Sequence, residues 1–140
     1  MNPIIFAVLA ASSFGLWTVF HKLASPYINQ IFGAIVVSLT AVIFGGVVLL
    51  FNIKGIQLFS DIKGVIFVVL AGIAAFFIDY LALQAYSKGL SLTIGGPIII
   101  GGSMVVAVLI GLLLGEPLTA IKILGILLIV IGGIVLASIG

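Results

Sequence analysis

Apolar residues fall in five long blocks, at about 3–23, 29–51, 62–86, 92–114 and 118–139, separated by short polar punctuation. A helix rises 1.5 Å per residue, so each block has the roughly 20 apolar residues needed to cross the hydrocarbon core of a bilayer. Stretches such as 123–136 are apolar on every face. A transmembrane β-strand would instead alternate apolar and polar positions over about 10 residues. The pattern therefore predicts an all-α integral membrane protein with five transmembrane helices, whose odd number puts the two termini on opposite sides. The connections are short: Ser25, Pro26 and Tyr27 after the first block, Ser87, Lys88 and Gly89 after the third, and Gly115, Glu116 and Pro117 after the fourth. Successive helices are expected to be antiparallel neighbours in a single domain, 1–140, without a linker. The longest and most polar connection, 52–61, holds Lys54, Gly55, Gln57 and Ser60. Ser60 and Asp61 are placed to cap the third helix, and Pro117 suits the first position of the fifth.

Composition agrees with this pattern. The chain is 64% hydrophobic and 6% charged, against about 25% charged in an average soluble domain, and its mean hydropathy is +1.61. A folded surface this poor in charge needs lipid around it. The formal charge of +2 rests on five Lys and no Arg, dispersed along the chain. No cluster is dense enough for nucleic acid or a polybasic lipid site. There is no cysteine, which excludes disulfides and zinc–thiolate sites. The first residues carry no basic side chain, and the apolar run that follows exceeds the roughly 7–15 residues of a signal-peptide core. It is read as the first span of a multi-pass protein of the cell membrane.

Between helices in lipid, small residues allow close backbone approach. Gly111 and Gly115, Ala41 and Gly45, Ala71 and Ala75, and Gly133 and Ala137 each have the four-residue spacing. The fourth span carries Gly95, Gly96 and Pro97 and then Gly101, Gly102 and Ser103 in its first half. Proline removes a backbone donor and crowds the carbonyl four residues earlier. A helix break at Gly96 and Pro97 is therefore expected, either as a packing kink or as exposed backbone of the kind that binds substrate or ion in transporters. Orientation follows the Lys bias. Lys54, Lys63 and Lys122 share the side of the N-terminus, and Lys22 and Lys88 lie opposite. Three against two is weak enough to admit insertion both ways, and with it an antiparallel homodimer.

Asp79 is the sharpest chemical signal, because it lies well inside the third span. A carboxylate at a helix centre costs about 2.5–3.5 kcal/mol on insertion scales, and burial favours the neutral form. Such a group can bind and release a proton, or hold a cation, unless a partner such as Lys22 or His21 neutralises it. Tyr80, Gln84 and Ser87 share a face of the same helix, so Tyr80 and Gln84 are candidate cavity residues, and Tyr86 reads as an interfacial anchor. On the first span Ser13, Trp17 and His21 form one stripe. Trp17 can wall a site for a cation or a flat substrate. His21 near the span's end reads as solvated or capping, and Glu116 as a helix-dipole residue. There is no GxSxG, P-loop, HExxH or CxxC, and one His cannot build a multi-His metal site. No enzyme, metal or cofactor is expected.

Residues 80–137 resemble the second half of an EamA domain of the drug/metabolite transporter superfamily. The likeness is carried by 80–86 in the third helix, Pro97 in the fourth, the turn Gly115, Glu116, Pro117, Leu118 and Thr119, and a fifth helix bearing Gly125, Gly132 and Gly133. Trp17 and the closing Lys22 extend it to the first helix. The resemblance implies one half of an inverted-repeat transporter, completed by a second copy, that moves small metabolites or cationic and amphipathic compounds. Asp79 belongs to no general motif of that family, so its candidacy rests on the physical argument. The partners expected are membrane lipid, a small-molecule substrate and a second copy, parallel or antiparallel. The alternatives are a non-transporting membrane subunit and a flippase for a lipid-linked substrate.

Overall fold

A computed structural model describes residues 3–52, 58 and 60–139. Lys54, Gly55 and Gln57 lie outside the described residues. The chain forms five helices: α1 Pro3–Ala24, α2 Gln30–Asn52, α3 Ile62–Ser87, α4 Leu92–Leu113 and α5 Ala120–Ile139. All five are long and apolar enough to cross a membrane, and no strand occurs among the described residues.

The helix ends follow from local chemistry. Asp61 caps α3, its side chain accepting from the Lys63 amide at 2.8 Å. Asn29 caps α2 by accepting from the amides of Ile31 and Phe32 at 3.1 and 3.2 Å. At the end of α3 the Leu90 amide reaches the Ala85 carbonyl and the Gly89 amide reaches Tyr86. The same pair of bonds closes α4, from Glu116 to Gly111 and from Gly115 to Leu112. These are Schellman closures, which need a left-handed residue at the turn, and Gly89 (φ 99°) and Gly115 (φ 85°) supply it. Gly115 is therefore a turn residue and not half of a packing pair with Gly111. The fifth helix starts at Ala120 and not at Pro117, with Thr119 Oγ1 accepting from the Lys122 amide at 3.4 Å.

Hydroxyls inside the spans bond back to carbonyls one turn earlier. Ser12 reaches Val8, Ser13 reaches Leu9, Thr40 reaches Val36 and Ser103 reaches Ile100. In hydrocarbon no water can satisfy them, so this local bond is what permits them there.

The helices pack as α2 on α3 and α4 on α5, with α1 against α3 and α4. Short connections led to the expectation that α1 and α2 would be neighbours. Among the described residues no Cα of α1 comes within 8 Å of one in α2, because α2 leans on α3 instead. Gly33 allows this: a Cβ there would stand 2.6 Å from Leu83 Cδ1.

Burial is concentrated at one end of the bundle, where α1 and α3 finish and α2 and α4 begin. The buried stripe of α3 is Asp79, Ala82, Leu83 and Tyr86, at i, i+3, i+4 and i+7, one helical face. Facing it are Thr18, His21 and Ser25, then Gly33 and Ala34 of α2 and Gly95 and Gly96 of α4. α5 has no buried residue among those described. Most large apolar side chains are exposed, which suits a surface facing lipid tails.

Candidate functional site

Three side chains from two helices meet inside this packed end. Asp79 is 6% exposed. It lies eight residues before Ser87, about 12 Å along the axis from the end of α3. The Trp17 indole N–H donates to Asp79 Oδ1 at 2.7 Å. His21 Nε2 approaches the same oxygen at 3.1 Å. His21 is itself 4% exposed, so it is neither solvated nor a surface cap. Trp17 and His21 are one helical turn apart on α1, with ring centroids 4.0 Å apart, and Phe14 stacks on Trp17 from the next turn at 5.0 Å.

The histidine's tautomer follows from its other nitrogen. Nδ1 lies 2.9 Å from the Trp17 carbonyl oxygen. A carbonyl only accepts, so Nδ1 carries hydrogen. A neutral imidazole of that tautomer would turn its Nε2 lone pair onto the Asp79 carboxylate. The contact is attractive only when the pair shares at least one proton, either on Nε2 as imidazolium or on the carboxyl. Nε2 makes no aligned hydrogen bond, so the 3.1 Å approach is a close charge contact whose geometry is not that of a full bond. With the proton present the pair is neutral, and without it the pair carries one negative charge.

Lys22 does not pair with Asp79. Its Nζ donates to the Leu90 carbonyl at 2.7 Å and lies 5.8 Å from the Tyr86 ring centroid. This ties α1 to the α3–α4 turn. Tyr86 is 2% exposed, packed on Gly95, and its hydroxyl has no hydrogen-bond partner among the described residues. It is thus a core residue of this end and not an interfacial anchor. Tyr80 is half-buried with its ring parallel to Phe76 at 6.4 Å. Gln84 is half-buried. Neither reaches Asp79. α4 runs unbroken through Gly96 and Pro97, so the expected break does not interrupt the helix. Pro97 lines a groove between α4 and α5, whereas Gly95 and Gly96 are buried. Glu116 lies against Gly111 of α4, and the side chain that bonds to the start of α5 is Thr119.

Beside the cluster, the space between α1 and α2 forms a groove of about 550 Å³. Trp17 and His21 line it on one wall, Val37 and Phe44 on the other, and Leu83 of α3 takes part in its lining. Asp79 stands behind the Trp17 and His21 wall.

His21 is the residue that sequence reasoning underrated. The signal was present in its one-turn spacing from Trp17, which puts both on the stripe that faces Asp79. A family model, the EamA-like transporter family, matches residues 1–138. No curated protein and no solved structure matches the chain.

Proposed function

The chain belongs to the EamA-like transporter family, and from that premise we propose that it is a proton-coupled secondary transporter of small cationic or amphipathic compounds, with Asp79 as the coupling site. The observation that carries this reading is the buried contact of Asp79 with Trp17 and His21. Intramembrane ionisable groups are expensive and mark ion or substrate pathways. This one can switch between neutral and negative by losing one proton, and a monocation restores neutrality. The Trp17 ring provides an aromatic face beside it. Tyr80 and Gln84, one and five residues on, belong to the path along α3 and not to the contact itself.

A second copy completes the machine. Among the described residues one chain has five helices, α5 packs closely on α4 alone, and few residues are buried. An inverted partner would give the two rocking halves of alternating access. The cell membrane is the proposed location.

The test is flux. Purified protein in liposomes with an imposed pH gradient should accumulate a fluorescent organic amine. Asp79→Asn should stop that accumulation while cross-linking still finds the dimer. Undiminished accumulation by Asp79→Asn would remove the carboxyl from the mechanism. A flippase reading has one observation in its favour, the apolar groove between α1 and α2, whose lining includes the exposed Leu16, Phe20 and Phe44. Flux of a fluorescent phospholipid exceeding that of the amine would favour it.

A further inference from the structure

We infer that the groove between α1 and α2 seats the apolar tail of the substrate, which is a single-chain amphipathic monocation entering sideways from the lipid. The inference rests on the coupling role of Asp79 and adds the shape of what is carried.

The groove exists where sequence logic expects contact. α1 and α2 are joined by a short turn yet their backbones stay more than 8 Å apart, Cα to Cα, because Gly33 draws α2 onto Leu83 of α3. Its α2 wall, from Gly33 to Phe44, is about 16 Å long by helix rise, about half of a hydrocarbon core of roughly 30 Å. The polarity is graded. His21 and Trp17 stand toward the packed end, Ser13 and Thr40 spend their hydroxyls on their own helices, and Ala41 and Phe44 mark the deep end. His21 is the one titratable side chain in the lining, and it touches both the groove and Asp79.

Charge complementarity selects the head group. When the shared proton leaves to water at the near membrane surface, His21 and Asp79 together carry one negative charge behind an indole face. One positive charge matches it. A phospholipid head, zwitterionic or anionic, does not supply that single positive charge. Shape selects the tail: the groove is lined mainly by apolar side chains beyond Trp17 and His21, along an α2 wall of about 16 Å, which suits one extended chain.

Trp17 is the only tryptophan in the chain, so its emission reports on this site. The protein in lipid nanodiscs is titrated with tetramethylammonium, with a series of alkyltrimethylammonium ions of increasing tail length, and with dodecanol as an uncharged control. Comparing variants in the same lipid cancels partitioning of the probe into the bilayer. Ala41→Leu, which fills the deep end, should weaken the response to dodecyltrimethylammonium roughly tenfold, the scale of overpacking by a few methylenes. It should leave tetramethylammonium unchanged. Phe44→Ala should lengthen the best-bound tail, which loss of folding cannot do.

Asp79→Asn should abolish the response to both cations. If it leaves tetramethylammonium unaffected, the coupling role falls, and with it the charge half of this inference, while the Ala41→Leu and Phe44→Ala results still decide the tail seat. The tail seat is overturned if Ala41→Leu and Phe44→Ala leave the tail-length series unchanged. The cation is overturned as occupant if dodecanol acts as dodecyltrimethylammonium does. Saturating quenching by brominated phosphatidylcholine that the cations do not displace would assign the groove to lipid. A disulfide between copies of Ala41→Cys would assign it to a second chain. Either result overturns the inference.

Discussion

Replacing Trp17 with Phe tests the geometry at the centre of the site. The substitution keeps an aromatic ring against Phe14 and His21 and removes only the indole N–H, which donates to Asp79 Oδ1 at 2.7 Å. Asp79 is 6% exposed, so no water replaces the lost donor. Interhelical hydrogen bonds in membrane proteins average about 0.6 kcal/mol and reach about 1.7 in double-mutant cycles. Bonds to charged groups run about 1.5–3 kcal/mol. The short distance and the carboxylate acceptor place this bond at the upper end of the first range, so the expected coupling between Trp17 and Asp79 is about 1–2 kcal/mol. Wild type, Trp17→Phe, Asp79→Ala and the double variant would be unfolded with SDS in mixed micelles and followed by far-ultraviolet circular dichroism. The cycle isolates the pairwise contribution, provided neither single change creates a new contact. A coupling below the roughly 0.6 kcal/mol average would mean that the carboxyl finds another donor, and that Trp17 does not hold it.

Four other substitutions probe the packing, three of them at the same end of the bundle and Gly115→Ala at the opposite end, after α4. Gly95→Ala puts a Cβ 2.6 Å from Tyr86 Cε1 and 2.9 Å from Leu90 Cδ2, and should cost about 1–3 kcal/mol as overpacking. Gly96→Ala meets nothing within 4 Å and should leave the SDS midpoint unchanged. Gly115→Ala forces a side chain into a left-handed turn at φ 85° and should lower the midpoint by about 1–2 kcal/mol. Lys22→Met removes the bond to the Leu90 carbonyl, and should speed amide hydrogen exchange at residues 88–91 while leaving the exchange of α5 unchanged.

Much of this fold could be read from the chain because lipid imposes a simple length rule. The five blocks end within one or two residues of the observed helices, and Asp61 caps α3 as its position suggested. Which face of each helix is inward was harder to read. α3 is apolar on every face from Val65 to Ile78, so little polar contrast marks the inward stripe of Asp79, Ala82, Leu83 and Tyr86. The contact of Trp17 with Asp79 depends on α1 lying against α3, and nothing local to either helix encodes that. The loop-length rule misled at α1 and α2, since a short turn limits the distance between helix ends and not the lean of the rest. Gly115 showed why spacing alone is weak evidence: a glycine four residues after another can serve the turn and not the face. His21 was discounted because it lies near a span's end. That end, however, is where the bundle is packed, and depth in the membrane is not the same as depth in the protein.

The most direct test of the coupling role of Asp79 is proton movement itself. Liposomes loaded with a pH-sensitive dye and containing wild-type protein should change internal pH when an organic amine is added outside under clamped membrane potential. Liposomes with the same amount of Asp79→Asn, verified as dimeric and folded, should show only the passive background. An equal pH change from both proteins would contradict the assignment of the coupled proton to this carboxyl.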